Sequence, residues 1–245
     1  MNTSYIAIYD NTNNAKYLYA SEGVQEFLGY SPTELLSIDS YSLTHPDERN
    51  SLRLIHNYSN AQQSFSFWIS YHLRHKDGHY VRCNSILHWC HDLIIATVFG
   101  EWSELRASSV EERFIVHPNG QMESNIQIPQ NDTWSTVEPE PRFCLILNRY
   151  SEQALIVFAT RQCEEIGKMN QIECVGQSVL EFVAPEHQAI VKHHLELVKS
   201  SEMIVKFPFL WHTHILMEAV MSCTVDGLVM VIRHANKICH HTIPS

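Results

Sequence analysis

The sequence predicts an α+β protein made of two divergent copies of one domain, and three observations carry that reading. The chain has 245 residues, a length that suits one large or two ordinary domains. The order strand, strand, short helices, one longer helix, three strands occurs twice, and an acidic stretch containing prolines separates the two occurrences. The halves also keep register: Ala20-Ser21 aligns with Ala159-Thr160, and Pro46-Asp47 with Pro185-Glu186, at a common offset of 139 residues. Without a gap, Phe27 then falls on Ile166 and Ile55 on His194.

Each element has a local cause. Tyr5 to Tyr9 and Lys16 to Ala20 alternate as strands around the polar turn Asn11 to Asn14, so a hairpin opens the chain. Ser21 is placed to cap a helix over Glu22 to Leu28, and Ser31-Pro32-Thr33-Glu34 supplies a cap, a first-turn proline and an early acid before Leu35-Leu36. Pro46 to Asn57 reads as the longer helix, with Leu52 and Ile55 on one side and His56 at their boundary. Ser64 to Phe99 is rich in β-branched and aromatic residues, and the turns Lys76-Asp77-Gly78 and His91-Asp92 divide it into three strands. Periodicity weakens over residues 103–141, where acids dominate and Glu138-Pro139-Glu140-Pro141 marks the end. Within it, Arg113 to Val116 and Asn125 to Ile128 are candidates for short strands on a neighbour, so the linker is expected to be partly ordered. The order then restarts: strands Phe143 to Leu147 and Ala154 to Ala159, helical turns at Arg161 to Ile166 and Ser178 to Val183, a longer helix over Pro185 to Lys199, and three strands. The expected division is a first domain at 1–102, the linker at 103–141, a second domain at 142–236 and a tail at 237–245.

Composition narrows the function classes. Hydrophobic residues at 44% and charged residues at 18% give enough apolar material for packed cores. A formal net charge of −10 repels phosphate backbones and anionic membrane surfaces, so direct nucleic-acid binding through a basic face is not expected. No basic start with an apolar core and no long apolar run is seen, and the odd set of 7 cysteines contains no CxxC pair. These features point to reduced thiols in the cytoplasm or nucleus and to no membrane association. Sixteen histidines stand against 17 Lys plus Arg, which is unusual.

The motifs carry a family resemblance. Tyr19-Ala20-Ser21, Phe27-Leu28-Gly29-Tyr30-Ser31-Pro32 with Glu34-Leu35-Leu36, His45-Pro46-Asp47-Glu48 and Arg74-His75-Lys76-Asp77-Gly78-His79-Tyr80 succeed one another as in PAS sensory domains, over nearly all of residues 1–100. The second half resembles them more loosely, through Phe158-Ala159-Thr160, Cys174-Val175-Gly176-Gln177-Ser178, Phe182-Val183-Ala184-Pro185-Glu186 and Asp226-Gly227. It lacks the GY pair and the HPDD-like box. The tandem arrangement is similar to fungal PAS proteins, including the white-collar group of photoreceptors and transcription regulators. The resemblance implies, for each copy, a five-stranded antiparallel sheet with short helices on one face and a pocket between them.

It also implies a role: a non-enzymatic sensory or protein-interaction module in signalling or transcription regulation, working through dimerisation or recruitment of a protein partner. The alternative is a sensor that binds haem or another small molecule. The residues placed at the pockets are Phe27, Leu52 and Ile55 in the first domain, and His194, Ile190, Val191 and Ile166 in the second. Flavin photochemistry is disfavoured, because neither Ser37-Ile38-Asp39-Ser40 nor Ile172 to Gln177 has the Asn-Cys-Arg-Phe-Leu-Gln box of the light-sensing subclass. Cys174 is the one thiol in that region and lacks the flanking residues. Haem would need an axial ligand on the inner face of the longer helix, and His194 shares a helical face with Ile190, Val191 and Val198. No cofactor and no metal is expected: His187, His193 and His194 cluster only loosely, and Cys239-His240-His241 reads as a tail. Phosphate loops and nucleophile elbows are missing too, so no enzymatic activity is expected. Alternation puts Phe65 and Phe67 on one sheet face with Ile69 and Tyr71, and Trp68 on the other, an open face suited to a protein partner or a second copy.

Overall fold

A computed structural model describes residues 3–100, 110–129, 137–201 and 203–235. Parts of the linker and the whole of the tail, with Cys239-His240-His241, lie outside the described residues. In the first unit β1 (Ser4–Asp10) and β2 (Tyr17–Ala20) form the opening hairpin. Short helices α1 (Gly23–Leu28), α2 (Pro32–Leu35) and α3 (Ser40–Leu43) follow, then a 3-10 turn at Pro46–Glu48 leading into α4 (Arg49–Ala61). Strands β3 (Phe67–Arg74), β4 (Tyr80–Cys90) and β5 (Leu93–Phe99) complete it.

Local chemistry accounts for the boundaries. Gly29 ends α1 at φ 77°, a left-handed conformation that glycine adopts without strain. The Glu34 carboxylate accepts from Ser31 N–H at 2.8 Å and from Ser31 Oγ at 3.0 Å, which fixes the first turn of α2. Ser21 does not cap α1 as expected. Glu22 occupies the N-cap position, while Ser21 Oγ accepts from Ile6 N–H at 2.7 Å and ties the helix entry to β1.

The second unit repeats the plan with β8 (Arg142–Leu147), β9 (Ile156–Ala159), α5 (Cys163–Ile166), 3-10 turns at Val179–Phe182 and Pro185–His187, α6 (Gln188–Ser201), β10 (Val205–Leu210), β11 (Leu216–Cys223) and β12 (Leu228–His234). Strand order is β2-β1-β5-β4-β3 in the first sheet and β9-β8-β12-β11-β10 in the second, the same path laid down twice. Two linker strands, β6 (Glu112–Val116) and β7 (Met122–Ser124), extend the first sheet to seven strands, with β6 parallel to β3. This part of the linker therefore belongs to the first unit: Phe114 and Val116 sit in its core, and Ile126 and Ile128 pack against it.

Each sheet is buried on both faces. In β1, Tyr5, Ala7 and Tyr9 face the helices while Ile6 and Ile8 face away; in β12, Leu228, Met230 and Ile232 face the helices while Val229 and Val231 face away. The outward sets meet one another in a third core that joins Ile6, Ile86, Ile95 and Phe99 to Cys144, Ile146, Val220 and Val231. The two sheets thus pack back to back, and the Thr97 hydroxyl donates to Ser222 Oγ across them at 3.0 Å.

That packing corrects the expectation for Trp68. Its face is not open: Trp68 is 8% exposed and belongs to the core between the sheets, so the second unit already covers the surface assigned to a partner. Phe65 also departs from the simple alternation. β3 begins only at Phe67, and Phe65 turns toward the interface, where the Arg233 guanidinium lies 4.0 Å from its ring.

Polar groups clamp the units at two ends. Arg142, at the start of β8, is 1% exposed and donates to the carbonyls of Ser64 at 2.7 Å and of Gln63, in the turn between α4 and β3. Arg233 pairs with Glu140 and Glu218, each at 2.7 Å. At the other end, in the β11–β12 hairpin, Asp226 Oδ2 accepts from Ser21 Oγ at 2.5 Å and from Gly23 N–H at 2.9 Å. A Cβ at Gly23 would lie 2.2 Å from Ser4 O and 2.6 Å from Asp226 Oδ2, so only glycine admits this close docking.

Candidate functional site

Between the sheet and helices of the first unit lies a cavity of about 60 Å³. Strands β1 to β5 supply Tyr9, Tyr17, Phe67, Ile69, Tyr71, Trp89 and Ile94; α3 and α4 supply Tyr41, Leu52, Ile55 and His56. The walls are aromatic and aliphatic, with a few polar atoms inside. Tyr41 Oη and His56 Nδ1 share a hydrogen bond at 2.6 Å, and the His56 ring lies 5.4 Å from that of Trp89. Trp89 Nε1 is buried without a partner. The hydroxyls of Tyr5, Tyr9 and Tyr17 lean toward one another, yet the Tyr5 and Tyr17 oxygens close no hydrogen bond of ordinary geometry. Buried donors of this kind are costly to leave unpaired, so the cavity favours an occupant that can accept from them.

The site carries no charge of its own at neutral pH. Burial raises the pKa of Tyr5, Tyr9, Tyr17, Tyr41 and Tyr71 above the ordinary phenol value. Burial also lowers that of His56 to about 4, with the Arg53 charge adding to the effect, so its imidazole stays neutral. A small uncharged molecule with an oxygen or nitrogen acceptor, or a few waters, matches these walls.

The sequence-predicted residues divide. Leu52 and Ile55 line the cavity. Phe27 is buried in the same core but packs on Tyr5, with ring centroids 5.5 Å apart, and is not part of the cavity wall. In the second unit Val191 and Ile166 are buried in the core, whereas Ile190 is 43% exposed and faces outward. His194 stacks flat on Phe207 with centroids 4.1 Å apart, and its Nδ1 is buried without a partner. Burial lowers its pKa, and His193 adds to the shift. This contact fixes the plane of the His194 ring against Phe207. The cavity of the first unit is far smaller than the several hundred Å³ that drug-sized ligands occupy. Cys174, 1% exposed, is held by burial above the ordinary thiol pKa, which suits an inert core thiol.

Sequence reasoning placed His56 at a boundary, yet it is 8% exposed and lines the cavity. The available signal was its position next to Ile55 and one turn after Leu52, which leaves it on the flank of the same apolar stripe. Tyr41 and Trp89 carry no motif and enter the site only through packing.

Residues 17–92, which lie in the first unit, match a family model described as the PAS fold. Among solved structures, the PAS-B domain of Drosophila melanogaster Cycle with bound ethylene glycol is 22% identical, with a TM-score of 0.35, and the match covers 38% of this chain and 96% of that one. The N-terminal domain of a diguanylate cyclase with PAS/PAC sensor from Marinobacter aquaeolei is 16% identical, with a TM-score of 0.35 and coverage of 40% and 94%. Comparison with curated proteins found no match. No helix among the described residues is long and apolar enough to cross a membrane.

Proposed function

We propose that the chain is a non-enzymatic tandem PAS module of the cytoplasm or nucleus, in which the first unit senses a small neutral molecule and the second relays its occupancy to a protein partner. The tandem reading rests on the repeated strand order, and the link to signalling or transcription regulation on the resemblance to white-collar-type proteins. One observation carries the mechanism: the cavity and the inter-sheet core are opposite faces of the same strands. In β3, Phe67 and Ile69 line the cavity while Trp68 faces the second unit; in β4, Leu87 and Trp89 line it while Ile86 and Cys90 face away. Because side chains alternate along a strand, an occupant that shifts the cavity side moves the interface side. A ligand acts by its different affinity for the two packings, a population shift at the clamp formed by Arg142 and Arg233. With the sheet faces used within the chain, the partner engages helices or edges.

Xenon and 1-propanol are suitable probes, being small and uncharged. Methyl and indole NMR signals of Ile55, Ile69 and Trp89 should shift on loading, followed by those of Ile86, Ile95 and Val231 across the interface. Shifts confined to cavity residues would overturn the relay, and no shifts at all would overturn the sensing role.

A further inference from the structure

The tip of the β3–β4 hairpin gathers three metal-ligating side chains that neither the cavity nor the unit interface uses. His75 and His79 face one another across the turn, joined by the His75 N–H to His79 carbonyl bond at 2.8 Å. Their rings stack with centroids 4.7 Å apart and an interplanar angle of 20°. Both present Nδ1 to one oxygen, Asp77 Oδ1, which lies 2.8 Å from His75 Nδ1 and 2.5 Å from His79 Nδ1. The three donor atoms all lie within 4.8 Å of one another. We propose that His75, Asp77 and His79 bind a divalent transition-metal ion of the zinc class.

The chemistry and the scaffold both support this. Two imidazole nitrogens and one carboxylate oxygen are a donor set that zinc takes at about 2.0–2.2 Å, leaving a fourth tetrahedral position for water. A single carboxylate gives too little oxygen ligation for calcium, and two imidazole nitrogens suit zinc, copper or nickel better than the oxygen-preferring magnesium. The Asp77 N–H also points to His75 Nδ1 at 3.3 Å, which holds the imidazole over the turn. Its opposite edge faces Gly29, where a Cβ would lie 3.0 Å from His75 Nε2, so glycine at this position leaves the ring room.

The backbone is held in place before any ion arrives. Gly78 takes φ 104° and donates to the His75 carbonyl at 2.9 Å, and Lys76 N–H donates to Leu28 O at 2.9 Å. The Lys76 ammonium is turned away to Glu34 at 2.6 Å, so it does not compete for Asp77. Coordination requires the Asp77 carboxylate to part slightly from both imidazoles, and the exposed side chains of Asp77 and His79, at 64% and 60%, leave room for that adjustment.

Zinc titration of chelator-stripped protein by calorimetry tests the site, with cobalt(II) absorption reporting the ligand geometry and amide hydrogen exchange reporting the hairpin. Wild-type protein should show a binding event that weakens at least about tenfold in each of His75→Gln, Asp77→Asn and His79→Gln, with the Asp77 and Gly78 amides protected on zinc addition. The other histidines give a background common to all four proteins. Equal zinc binding by wild type and the three variants would overturn the proposal. So would loss in only one histidine variant, which would mean coordination by a lone imidazole. Circular dichroism melts establish that the variants keep the fold, since the altered side chains sit at a hairpin end.

Discussion

Replacing Arg142 with methionine tests whether the two units are held as one body. The side chain is 1% exposed, and its guanidinium makes two short bonds, to Ser64 O at 2.7 Å and to Gln63 O. Its contacts to Trp89 O and Glu140 Oε2, both 3.4 Å, are long and contribute little. Each short bond from a charged donor is worth about 1.5–3 kcal/mol, so the loss is about 3–6 kcal/mol. Methionine retains most of the volume and relieves the cost of burying a charge, which offsets part of that. The net destabilisation is then about 2–4 kcal/mol, a fall in Tm of about 10 °C for a chain of this size. Glu140 keeps Arg233 at 2.7 Å, so no buried carboxylate is stranded. Urea unfolding followed by both tryptophan fluorescence and circular dichroism measures the effect, and the two transitions should separate as the units uncouple. A change below about 0.5 kcal/mol, the scatter of ordinary surface substitutions, with coincident transitions would refute the clamp.

Acid should weaken the fold through its buried imidazoles. Burial holds His56 and His88 down to a pKa of about 4, from an ordinary 6.5. The unfolded chain therefore takes up these protons first, so the stabilisation is complete above pH 6.5 and is lost as pH falls through 4. At 1.36 kcal/mol per pKa unit, each histidine contributes about 3 kcal/mol over that window. Urea midpoints at several pH values should show the decline, and His88→Leu should reduce it by about that amount; an unchanged slope would count against a neutral buried His88. Asp226→Ala should cost about 1 kcal/mol, since its bonds to Ser21 and Gly23 sit at the margin of the interface. Faster hydrogen exchange at the Gly23 amide is the local readout, and unchanged exchange there would exclude the docking.

Elements whose causes are local could be read directly from the residues. The opening hairpin, the capped turn at Ser31-Pro32, the Lys76-Asp77-Gly78 turn, and the two long helices entered through Pro46 and Pro185 all follow from neighbours a few positions away. The first sheet's enlargement escaped that reading. Glu112–Val116 pairs parallel to β3, a partner more than forty residues earlier, and no local pattern specifies such a pairing. His56 and Ile190 were misplaced for a related reason. Helical periodicity gives an angle around the axis, but the direction of the core depends on where the sheet lies.

The back-to-back packing did leave a trace. Leu228-Val229-Met230-Val231-Ile232 is apolar at every position, as expected of a strand buried on both sides and not of one with a solvated face. By itself the amino-acid sequence determined the order of elements and the return of that order in the second half, because these depend on residue type and spacing. Only the tertiary structure decided that the two outer faces cover each other, that Arg142 and Asp226 clamp them, and that Tyr41, His56 and Trp89 surround one cavity. Those outcomes depend on which distant surfaces exclude water together, and burial records no direction along the chain.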